Sequence, residues 1–439
     1  MKKFLAIIIS VLSLTTLAQD TIQVQNANIQ VNEAEFGTKK RTKNMNTVYH
    51  RSSLHNILLF HNGQKYSKEI LETYNIRPQS EKFNDHSLPF DMIKVKGAKY
   101  VKDKKVKKYI READLADDLV AKWFNRNETT GYCNMDLIFK RGLEGARTED
   151  IEMSEYAKRG QALLTDFGTE LIGNTYVLVH DIVYIDKAER NEKRANGIRI
   201  FGGIVQMLGE VAAEATGESS YKDMGKNIND LSYMTADVVD EFGGFRVKIK
   251  THLYRLNWQA SDNDYFFENY YLDENYYDQT KYDAWKNAKY SMSYLGSQEV
   301  ISAQTVLKNK WDLAELIKIV LYRALDESVV KLQRNYEEFK IKEPIYDIDE
   351  KGNVLAKIGL KEGVSEDSKY EVLERVESAD GTFKYKKVGT IKPIKKKIWD
   401  NRYMALEDGQ PNADLGYTTF KVTQGHDFYP GLLIREIKF

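Results

Sequence analysis

Apolar and polar residues alternate most cleanly over Phe245–Trp258, where Phe245, Val247, Ile249, Thr251 and Leu253 point one way and Arg246, Lys248, Lys250 and His252 the other. A period of two marks a strand with one covered face, so the opposite face reads as wet and basic. Asn174–Ile185 differs: Tyr176, Val177, Leu178, Val179, Ile182 and Val183 run nearly unbroken, as in a central strand buried on both faces. The two segments are expected to pair, which makes residues 186–244 an insertion in a sheet. From Ile110 the period turns helical, with Leu115, Leu119, Val120, Trp123 and Phe124 on one face and Asp117, Asp118 and Lys122 off it. Further helices are expected over Lys68–Tyr74, Thr148–Phe167 and Trp311–Phe339. A strand around Asn56–His61 should end at the Asn62-Gly63 turn.

Within the insertion, Ile198–Thr216 is rich in Gly, Ala and aliphatic residues. Arg199, Glu210 and Glu214 would each cost about 2.5–3.5 kcal/mol at mid-bilayer, so a helical hairpin with Met224–Phe242 is expected over membrane insertion. Docking of this helix on a partner subunit is the other alternative. Past residue 340 the elements shorten. Tyr370–Val376 and Phe383–Val388 flank Asp380-Gly381, a strong hairpin signal, and Ile345–Ile348, Val354–Ile358, Thr418–Thr423 and Leu432–Phe439 add strands. Arg435 breaks the alternation before the terminal Phe439, so the last strand closes a small domain and is not an outer-membrane barrel strand.

The fold class is therefore α+β. An α/β sheet-and-helix domain (110–339) with a helical insertion is followed by a small C-terminal β-barrel or sandwich domain (340–439). A leader and β-rich segment (19–109) precedes both. Lys2 and Lys3 stand before the apolar run Phe4–Leu17, and Thr16 and Ala18 supply small residues at a cleavage site, so residues 1–18 read as a signal peptide. No Cys follows it for lipid attachment. The expected location is the periplasm or the periphery of the outer membrane.

Composition narrows the chemistry. Lys plus Arg equals Asp plus Glu, 65 each, so no overall field favours nucleic acid. Cys133 is the single cysteine, which rules out an intramolecular disulfide and argues for a small buried side chain. His50, His55 and His61 are spaced five and six residues apart, off any one helical face, and no metal or other cofactor is expected. Asp262, Asp264 and Glu268 lack the glycine and loop length of a calcium site. The chain has no phosphate-binding Walker loop, serine-nucleophile elbow or zinc-protease motif, so no catalytic residue is assigned.

Two segments carry candidate binding surfaces. The acidic-aromatic block holds Tyr265, Phe266, Phe267, Tyr270, Tyr271, Tyr276, Tyr277 and Trp285, residues that supply large contact area with polar tips. It serves either as an interface or sugar platform, or as a helix packing its aromatics into the core. Eight lysines fall between Lys94 and Lys108, among Val95, Tyr100, Val101 and Val106. They suit phosphate-rich outer-membrane lipid or an acidic glycan, or else form a solvated strand or loop face.

Ala356-Lys357-Ile358-Gly359, Lys361-Glu362-Gly363-Val364 and Lys369-Tyr370-Glu371-Val372 give the last hundred residues a resemblance to the C-terminal domain of flagellar T-ring assembly proteins. The pattern departs at Asp367-Ser368, where Gly-Asp is usual. The helix–strand–insertion–strand order of 148–258 resembles the periplasmic domain of CsgG-like curli-secretion lipoproteins, whose lipidated Cys this chain lacks. Ala121-Lys122-Trp123-Phe124-Asn125-Arg126, Leu171-Ile172-Gly173-Asn174-Thr175-Tyr176 and Ile398-Trp399-Asp400-Asn401-Arg402 are similar to uncharacterised exported proteins of the Bacteroidota. These resemblances imply a non-enzymatic envelope assembly or interaction component whose partners are envelope proteins or copies of itself. A periplasmic glycan- or lipid-binding protein and a hydrolase with an unrecognised carboxylate site are the alternatives.

Overall fold

A computed structural model describes residues 52–78, 82–84, 88–138, 171–185, 242–307, 312–340, 342–377 and 383–438. The chain divides into residues 1–45 and 46–439, and every described residue lies in the second unit. The signal peptide, the helix expected over Thr148–Phe167 and the hairpin expected within the insertion lie outside the described residues.

In chain order the elements are β1 (Ser53–His61), α1 (Ser67–Asn75), β2 (Met92–Val95), α2 (Asp103–Glu112), α3 (Leu115–Trp123), β3 (Thr175–Tyr184) and β4 (Phe242–Leu256). They continue as α4 (Ala260–Asn269), α5 (Gln279–Lys286), β5 (Met292–Leu307) and α6 (Leu313–Asn335). Then come the short strands β6 (Glu343–Pro344), β7 (Asp347–Ile348) and β8 (Val354–Ala356), followed by β9 (Lys369–Glu377), β10 (Phe383–Pro393), β11 (Thr418–Gln424) and β12 (Leu433–Lys438).

The unbroken apolar run of β3 puts it at the centre of a five-stranded sheet of order β2-β1-β3-β4-β5, buried along all but its last residue. β1 pairs with it in parallel and β4 antiparallel, as the two sequence patterns require. One face packs Leu58, Ile182, Val247 and Ile249 against Ile70 and Tyr74 of α1 and Ile317, Val320 and Leu321 of α6. The other packs Ile57, Leu59, Val177 and Val179 against Val106 and Ile110 of α2 and Leu115 and Leu119 of α3.

Three expectations need correction. Helix α2 starts at Asp103, not Ile110, so the second half of the lysine run is helical and not strand or loop. As a result the second face of β4 is not simply wet: His252 and Tyr254 are buried, and Lys248 and Lys250 are half-covered. Strands β2 and β5 escape the periodicity altogether. β2 has four residues, and β5 takes an edge position where apolar residues are not demanded on both sides of the pleat.

The C-terminal elements form one seven-stranded antiparallel sheet, order β6-β12-β9-β10-β11-β8-β7, curled into a half-barrel. Register shifts at Lys387/Gly389 and Thr390/Ile391 introduce bulges that bend the strands around Val372, Ile391, Phe420 and Ile434. Its link to the first sheet is α6. Arg334 donates Nε and Nη2 to the Glu436 carboxylate of β12, both at 3.0 Å, and Nη2 also to the Gly363 carbonyl at 2.7 Å. Gly363 sits at φ 79°, and a Cβ there would lie 2.6 Å from Val330 of α6, so the close approach needs glycine.

Arg334 and Glu436 are about four-fifths covered, with side-chain exposures of 22% and 17%. Arg334→Ala leaves the carboxylate with Ser368 Oγ as its remaining hydrogen-bond donor. The expected cost is about 2–4 kcal/mol by urea unfolding of the full chain, and Arg334→Met with Glu436→Leu should recover most of it.

Candidate interaction surface

The aromatic block becomes two short helices on a shared base. Gln259 and Asp262 form a reciprocal cap at the start of α4, with Asp262 Oδ2 accepting Gln259 N–H at 2.8 Å. Asp278 Oδ1 accepts the N–H groups of Thr280 and Lys281 at the start of α5, and these hold its carboxyl below the usual range. Behind the helices, Phe266 stacks on Phe124 with centroids 3.8 Å apart and meets Trp285 edge-on at 5.4 Å. The Arg126 guanidinium lies 3.7 Å over the Trp285 ring, and burial pulls its pKa down to about 10. Gly131, at φ 75°, lets the loop before Cys133 close on Tyr282, whose hydroxyl donates to the Thr129 carbonyl at 3.2 Å.

The structure divides the eight aromatic candidates. Phe266 is core, with no exposure. Phe267, Tyr270, Tyr271 and Trp285 pack half-buried around it, as the core-packing alternative requires. Tyr265, Tyr276 and Tyr277 stand out into solvent at 55%, 52% and 51% exposure. Tyr277 donates to Gln279 Oε1 at 2.7 Å, and its ring meets Tyr132 edge-on at 6.3 Å. Periodicity cannot make this division, because the partner Phe124 comes from a distant part of the chain and Trp258 from the strand end before α4. Four buried polar atoms beneath the module, Arg126 Nη1, Trp258 Nε1, Asn263 Oδ1 and Tyr290 Oη, find no hydrogen-bond partner.

Cys133 is buried, and burial raises its thiol pKa, the opposite of an activated nucleophile. The eight lysines from Lys94 to Lys108 are all exposed, on the β2–α2 connection and the outer side of α2. Beneath that helix Asp103 Oδ1 accepts from Lys250 at 2.7 Å, and Lys107 packs its ammonium 3.9 Å from the Tyr294 ring centroid.

The histidines in the sheet brace it. His61 Nδ1 donates to the Gly97 carbonyl at 2.9 Å, and Nε2 lies 2.6 Å from Asp181 Oδ1, whose other oxygen accepts Val101 N–H. That set pins the loop after β2 onto β1 and β3, with the His61 and Asp181 side chains out of solvent. On the other face His180 reaches Asn56 and Thr251, both at 3.0 Å, and Thr251 continues the chain to Ser328 of α6. His50 and His86 lie outside the described residues. Among those described, no group of three or more His, Cys, Asp and Glu is placed to hold a metal ion, and no helix is long and apolar enough to cross a membrane.

In comparisons with known proteins, no family model matches the chain and no characterised protein matches its sequence.

Burial pulls His252 down to about 4 and holds His180 well below its ordinary value. Unfolded, both protonate near pH 6.5. Between about 6.5 and about 4 the unfolded chain binds protons that the fold refuses, so each histidine subtracts stability as pH falls, by at most about 1.4 kcal/mol per pH unit. Asp326, which burial raises to about 7, acts in the opposite sense. The measurable quantity is therefore a difference: in urea unfolding, the stability gap between wild type and His252→Gln should narrow from pH about 7 to about 4.5.

Proposed function

We propose that this chain is an exported envelope protein that works by binding other proteins, with the tyrosine-tipped platform of α4 and α5 as its contact surface. Export rests on the basic, apolar and small-residue order of residues 1–18. One observation carries the binding role: Tyr265, Tyr276 and Tyr277 are each more than half exposed while the rings beneath them are locked in stacked and edge-on contacts. Such side chains lose little conformational freedom on binding and bring both apolar area and a hydroxyl.

A partner would cover the three rings together with Tyr132 and Tyr282, which are already partly screened by neighbours. Lys281, over the Tyr276 ring at 5.3 Å, and Lys286, over Tyr282 at 4.1 Å, hold the rims of the platform. The exposed rings and hydroxyls suit recognition by shape and hydrogen bonding.

The test is in-cell photocrosslinking from Asn275 with identification of the captured neighbours. The wild type should yield a discrete envelope partner. The triple variant Tyr265→Ala, Tyr276→Ala, Tyr277→Ala should lose at least about tenfold of that product, since truncating interface tyrosines commonly costs more than 1 kcal/mol. Unchanged circular dichroism would confirm that the module still folds. An undiminished crosslink in the variant would reject the platform as the contact surface.

A further inference from the structure

The lysine segment and the tyrosine platform carry net charges of opposite sign. Residues 91–112 contain nine basic and three acidic residues, a net of +6 in a chain whose total is zero. All eight lysines from Lys94 to Lys108 are exposed, and among the described residues only Lys108 ion-pairs, with Glu112. Residues 262–283 contain seven acidic residues and one basic, a net of −6. Asp262, Asp264, Glu268, Glu274 and Asp283 are exposed, and none of the seven acids ion-pairs among the described residues.

The two surfaces flank one seam. Lys107 of α2 packs on Tyr294 near the start of β5, the strand that follows α5. Lys289 bridges Asp114 and Asp117 at 3.2 and 2.8 Å, and Asp117 Oδ1 accepts Tyr290 N–H at 2.7 Å, which fastens the start of α3 to the chain leaving α5. A positive and a negative field side by side are self-complementary under a two-fold axis, because the rotation lays each field on its opposite in the other copy. Any arrangement that opposes like fields is penalised by the same charges.

We propose that the platform's partner is a second copy of this chain, with the lysine ridge of each copy seated on the acidic tyrosine platform of the other. This rests on the platform being a contact surface. The basic side supplies ammonium groups on long apolar stems, and the acidic side supplies exposed tyrosine rings and carboxylates that accept both. The apolar side of α2, Val106 and Ile110, is already used in the core, so the ridge meets its partner through charge. An anionic bilayer would engage the lysines and leave the acidic platform idle.

The experiment is light scattering on the full mature chain at about 50 mM and about 500 mM salt, where screening differs severalfold in range. Dimers are expected at low salt and monomers at high salt. Lys99→Glu, Lys102→Glu and Lys104→Glu together make one variant; Asp264→Lys, Glu268→Lys and Glu274→Lys make the other. Each alone should dissociate at least about a hundredfold more readily, and mixing the two should restore a dimer containing one of each. That restoration excludes misfolding as the cause of either loss.

A wild type that stays monomeric at low salt, or two variants that fail to associate when mixed, overturns the proposal. So does a lysine variant that loses binding to phosphatidylglycerol vesicles while the wild type shows no dimer. If the wild type is monomeric but tyrosine substitution still strips the crosslinked neighbour, self-association falls and the platform stands. If tyrosine substitution leaves every crosslink intact, the platform itself falls.

Discussion

Helix α6 is the member on which the rest of the structure depends. It buries Ile317, Val320, Leu321 and Ala324 against the first sheet and α1, then turns Val330 and Arg334 toward the curled C-terminal sheet. A surface helix normally keeps one polar side. α6 buries Leu316, Ile317, Val320, Leu321, Tyr322, Ala324 and Leu325 and then Ser328, Val330 and Leu332, while Glu327 on its second half stays exposed. Each aliphatic side chain removed from water contributes about 1.5–3 kcal/mol, so apolar burial is the larger part of its hold on the first sheet. The charges it does bury must be paired, and Arg334 with Glu436 and the Gly363 carbonyl meets that demand.

The opposite face of the first sheet solves a related problem with polar groups. Lys250 and His252 of β4 come from a segment whose patterning predicts a solvated face, yet α2 covers them together with Asp181 of the fully buried β3. Their burial is tolerable because Lys250 reaches Asp103 and Asp181 is saturated by His61 and Val101. Where pairing stops, at His252 Nε2, Tyr100 Oη and Tyr254 Oη, the structure carries buried donors and acceptors without partners. These atoms lie on the α2-covered side of the sheet, under the lysine ridge.

What was legible in the sequence follows the strength of burial. Asn174–Ile185 and Phe245–Trp258 read correctly as paired strands because full or one-sided burial imposes a strong pattern, the long helix α6 reads correctly for the same reason, and the β9–β10 hairpin reads from its Asp380-Gly381 turn signal. β5 was hidden by its edge position and β2 by its four-residue length. α2 was hidden because five lysines and arginines on its outer side outweigh Val106 and Ile110 in any linear count. For the aromatic block, composition singles out the segment but cannot separate buried Phe266 from its exposed neighbour Tyr265. That separation depends on Phe124, about 140 residues upstream, and on Trp258.

The same division explains why the module is suited to binding. A surface tyrosine on a mobile loop pays for its contacts by losing rotamer freedom, whereas one rooted on stacked rings has lost most of that freedom on folding. Tyr276 and Tyr277 lie between two capped helices, and the caps at Asp262 and Asp278 use acidic side chains that also leave the surface negative. Capping chemistry and surface charge are therefore coupled in this segment: the acids that fix the helices also make the surface negative. A basic counterpart with exposed ammonium groups is the chemistry that such a surface selects, and α2 presents that chemistry on the neighbouring side of the same seam.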